Sequence, residues 1–85
     1  MSDRRIEFLQ GRITALEASI AALKAEDVAL DSRKSNLNRL HRNLWQDKLW
    51  SAVVHRQSRI PILIQHAERE IEQFRVDLER YRTFH

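Results

Sequence analysis

Six leucines, Leu9, Leu16, Leu23, Leu30, Leu37 and Leu44, follow one another at intervals of seven residues. Ile6, Ile13 and Ile20 stand three residues before the first three of them, so the apolar positions alternate at spacings of three and four. That spacing follows one stripe along an α-helix and leaves it facing another helix, because 3.6 residues make a turn and a strand repeats every two. Isoleucine at the first core position and leucine at the second is the combination of a two-stranded parallel coiled coil. Ile6, Leu9, Ile13, Leu16, Ile20 and Leu23 are therefore the expected self-association residues.

Glycine and proline, the residues that most disfavour helix, occur once each in 85 residues, and strand formers show no sustained alternation. The expected fold class is all-α, an antiparallel helical bundle or long helical hairpin of two to three helices, with an N-terminal leucine-zipper-like coiled-coil segment. A chain this short makes one domain, 1–85, and buries only about 60% of the surface its unfolded form exposes, so association would supply missing core.

The a positions change character after Ile20: Asp27, Lys34, His41, Lys48 and His55 continue the same seven-residue row. Asp31-Ser32-Arg33-Lys34-Ser35-Asn36 is rich in side chains that compete with the backbone for hydrogen bonds, and this favours a turn there over an unbroken helix. Beyond Leu44 the apolar residues Trp45, Leu49, Trp50, Val53 and Val54 cover more than one face, as in a helix lying between neighbours. Pro61 lacks an amide proton and restrains Ile60, so a helix is expected to end near Gln57 and another to begin near Pro61, with Ser58 as a cap. Ile64, Ala67, Ile71, Phe74, Leu78 and Tyr81 then restore firm periodicity. The helices expected on this reading are approximately 4–30, 36–57 and 61–84. The last of them has a charged outer face on which Glu72, Arg75, Glu79 and Arg82 are spaced for pairing within the helix.

Charge is unevenly placed. Residues 32–59 hold seven basic side chains and one acidic one, net +6, whereas 1–31 are net −2 and 60–85 net −1. The basic middle block is where an acidic partner or a polyanion would be drawn, and its asparagines and tryptophans could contact bases, so nucleic acid is the alternative partner. Arg39, Arg42, Trp45 and Trp50 are the expected partner-binding residues, because arginine and tryptophan dominate interface energetics.

Nothing in the chain points to catalysis. The four histidines lie far apart in sequence, His66 and Glu70 form only a two-ligand coincidence, and cysteine is absent, so no metal set, cofactor or small-molecule substrate is expected. No glycine-rich loop or nucleophile elbow is present. The first residues lack the apolar core of a signal peptide, and no uncharged stretch nears the roughly 20 residues of a membrane span. A cytoplasmic protein-binding module is the expectation: an adaptor, regulatory inhibitor or assembly subunit that pairs with itself as a homodimer, with another protein, or with both.

Overall fold

The computed structural model describes residues 4–39 and 44–84, with side-chain surroundings for 4–38 and 47–83. They form two helices, α1 (Arg4–Arg39) and α2 (Leu44–Phe84), and no strand among the described residues. The helices lie against each other as an antiparallel hairpin, a rod 64 × 17 × 14 Å. At 1.5 Å per residue, 36 and 41 residues span about 54 and 62 Å, so both run nearly the whole length.

The turn expected within 31–36 is absent, for α1 passes through it unbroken. Serine, asparagine and aspartate cost at most about 0.7 kcal/mol each against alanine in a helix. Burial of Leu37 and half-burial of Leu30 on either side of this stretch outweigh that local preference. Lys34 keeps its seam position by setting its ammonium 5.6 Å from the centre of the Trp50 ring.

Nor does the chain break at Ser58–Pro61; α2 continues through Pro61. A proline inside a helix removes one hydrogen bond and costs about 3 kcal/mol. Ile60, however, is the most deeply buried side chain described, at 1% exposure, and Val53 and Ala67 are buried on either side of it. Ending the helix here would forfeit that burial, so packing holds the helix through its proline. Ser58 does not cap: its hydroxyl donates to the His55 carbonyl at 2.6 Å, inside the helix. The three expected helices are thus two.

Continuity through Pro61 extends the periodicity of α2 backward. Trp50, Val53, Gln57, Ile60, Ile64, Ala67, Ile71, Phe74, Leu78 and Tyr81 keep alternating spacings of four and three, and all are buried or half-buried. They meet the α1 seam, of which Leu9 and Leu37 are buried and Ile6, Ile13, Leu16, Ile20, Leu23 and Leu30 half-buried.

Candidate functional site

The register between the helices is marked by side chains that cross it. The Arg5 guanidinium lies 5.5 Å from the Tyr81 ring centre and that of Arg12 5.9 Å from Phe74. Arg56 grips the Glu26 carboxylate with two donors, Nε to Oε2 and Nη2 to Oε1 at 2.9 Å. Arg75 reaches Glu17 at 3.4 Å rather than pairing along its own helix. From Arg5–Tyr81 through Arg12–Phe74 to Glu26–Arg56, numbers rise on one helix as they fall on the other.

Two edge pairs close as ion pairs, Glu26 with Arg56 and Glu17 with Arg75; by heptad position alone, Arg5, Arg12 and Lys24 answer Asp77, Glu70 and Glu68. Every edge pair in which both members are charged joins opposite signs, the arrangement that selects partner and orientation in a coiled coil. The Arg56 guanidinium, through its hydrogen bonds and then its charge, holds the Glu26 carboxyl below the usual glutamate range; Glu26 in turn raises Arg56.

One layer of the seam is polar. The Gln57 side-chain amide donates to Asp31 Oδ1 at 2.7 Å, with Asp27 Oδ1 at 3.4 Å and the Asp27 carbonyl at 3.5 Å. Gln57 and Asp27 are both half-buried, and no side-chain donor or acceptor buried among the described residues lacks a partner.

Of the expected self-association residues, all six line the seam that α2 of the same chain covers. Five stay partly exposed, because one partner helix cannot enclose both flanks of a stripe. Pairing with a second copy along this stripe requires α2 to yield or a further helix to cover the open flank.

Of the expected partner-binding residues, only Trp50 has its side chain among the described residues. The side chains of Arg39 and Trp45, and Arg42 altogether, lie outside the described residues. Trp50 is half-buried in the seam beneath Lys34. Lys34 and Arg56, two cations of the basic block, are engaged inside the hairpin, and Lys48 and His55 are exposed. His41, in the same row, lies outside the described residues.

A different surface stands out. On the face of α1 opposite the seam, Phe8, Gly11, Ala15, Ala18, Ala22, Ala25 and Ala29 follow the same alternating spacing as the seam itself, and all are exposed. Beside them Val28 is 66% exposed, and Phe8 itself 62%, the two most exposed large apolar side chains described. From Phe8 to Asn36 this face carries no charge, since Arg12, Glu17, Lys24, Glu26, Asp27, Asp31, Arg33 and Lys34 all sit in the seam or along its edges. A solvent-facing helix stripe is ordinarily where charges collect. A methyl group added at Gly11 would meet nothing within 4 Å, so the surface is open.

These residues escape a search tuned to large apolar side chains. Their signal in the sequence is a second seven-residue repeat, written in alanine and in missing charge.

Comparison with protein-family models, curated proteins and solved structures finds no match to this chain. Among the described residues, no group of three histidine, cysteine, aspartate or glutamate side chains could hold a metal ion, and no helix is long and apolar enough to cross a membrane. A shallow open groove beside Pro61, floored by Ile60 and Ile64 and edged by Asp27 and Glu68, offers no nucleophile paired with a base.

Proposed function

We propose that this protein is a small helical protein–protein interaction module, an adaptor, regulatory inhibitor or assembly subunit, whose binding surface is the uncharged outer face of α1. The observation that carries the reading is the confinement of α1's charges to the seam side between Phe8 and Asn36, which leaves Phe8 and Val28 exposed on an alanine track. Small residues let a second helix approach closely, and the larger apolar groups near the two ends supply burial. The partner is a helix with a matching apolar stripe, in a second copy or in another protein. We place this activity in the cytoplasm, where a cysteine-free chain needs no oxidising environment.

The test is a pair of single substitutions, Ala18→Glu and Ala22→Glu, compared with the parent chain by sedimentation and by stoichiometric co-purification from its host. Each adds a charge to the track without touching the seam. The reading expects helicity to persist and the self-assembled or mixed complex to weaken at least tenfold. Complexes that both variants form as well as the parent does would contradict it.

Nucleic acid remains the second reading because the hairpin carries Arg33 and Lys48 to the same end of the rod, both exposed. It predicts affinity for oligonucleotides that falls steeply with salt, with a shallower slope in Arg33→Glu; affinity indifferent to salt contradicts it.

A further inference from the structure

The first three heptads of α1 are composed for a parallel pair of identical helices, yet the structure shows α1 paired with α2. In a parallel, in-register pair each a residue faces its own copy across the seam. Two copies of α1 so joined would set Asp27 against Asp27 and Lys34 against Lys34. Along the flanks the same arrangement sets Arg12 beside Glu17, which attracts, and Glu26 beside Asp31, which repels. The like-charged layers and the repelling flank all fall within residues 26–34.

The hairpin resolves each of these conflicts. Asp27 and Asp31 receive the Gln57 amide, Glu26 receives Arg56, and Lys34 lies over Trp50. Asp27 and Lys34 are half-buried, so a like charge facing either of them would be poorly screened.

We propose that Asp27 and Lys34 determine partner choice: they bar a second copy's α1 from the Ile/Leu seam and leave that seam to α2. They act by making the wrong pair repulsive, on top of the high effective concentration that the connection between the helices already gives α2.

The experiment uses the full chain carrying Leu16→Cys, the sole cysteine in a sequence that has none. Position 16 meets its own copy in a parallel in-register pair, so a disulfide formed in a glutathione redox buffer at about millimolar chain reports that pair. The trap is placed in the parent background and in Asp27→Ile/Lys34→Ile. The proposal expects at least tenfold more disulfide-linked chain in the double variant, together with a thermal midpoint that rises with chain concentration. Equal linkage in both backgrounds would overturn it. So would a double variant that is only a more stable, concentration-independent monomer.

An Ile13→Cys trap, one core position earlier, repeats the test should Leu16→Cys perturb folding. Assembly through the outer face of α1 is separable, since it is lost in Ala18→Glu and does not bring the two seam positions together.

Discussion

Ile60 shows what a single residue contributes, because it is nearly sealed at 1% exposure and stands immediately before the proline that ought to end its helix. Ile60→Ala leaves a cavity between two long helices, and its expected cost is about 2–4 kcal/mol, read as a lowered midpoint in denaturant melts. Replacing its neighbour has the opposite sign. Pro61 is exposed, and Pro61→Ala restores an amide donor to the Gln57 carbonyl while leaving the seam untouched, so stability rises by roughly 1–3 kcal/mol. A loss on Pro61→Ala would mean that α2 does not run helically through this position. Gly11→Ala, in an open helical position, stabilises by about 0.5–1 kcal/mol in the same assay.

At the scale of the helix pair, the edges choose the register and pH reads them. Pairing with Arg56 holds the Glu26 carboxyl below its ordinary 4.5, so the pair's contribution is fully present above that pH. It is lost as pH falls through the lowered value. Glu26→Gln should therefore lower the thermal midpoint relative to the parent at pH 6–7, and the difference should shrink as pH falls below the usual glutamate range and through the lowered value. A difference that persists unchanged into acid would show that Glu26 acts by something other than its charge.

Much of this pair is legible in the sequence. The all-helical class follows from the leucine ladder, and the seam of α2 from Ile64 to Tyr81 follows from its spacing. The turn expected at 31–36 and the break expected at Pro61 do not form for one reason: local preferences worth about 1–3 kcal/mol yield to the leucines and isoleucines that tertiary packing buries on either side. The edge complementarity, Arg12 with Glu70 or Lys24 with Glu68, is also written in the sequence. It becomes readable only once α2 is known to keep phase through its proline. The outer face of α1 is hard to read from the sequence, because alanine signals only helix until the absence of charge around it is set beside it.

The whole molecule is a rod one helix pair thick, and a pair cannot enclose a core. Five of the six N-terminal seam residues stay partly open, and a second stripe runs along the far side of α1. Both features fit a component that completes itself against other helices, as bundles do. All of it depends on α1 being covered by α2 of its own chain. Spin labels at Gly11→Cys and Val76→Cys, both exposed and brought level by the register, measure that directly in doubly labelled chain diluted with unlabelled protein. Helices packed 8–10 Å apart place such labels about 20–30 Å from each other, and the account predicts that single short distance at every dilution. A distance beyond about 60 Å, as in an opened hairpin, or a short distance that disappears on dilution, would contradict it.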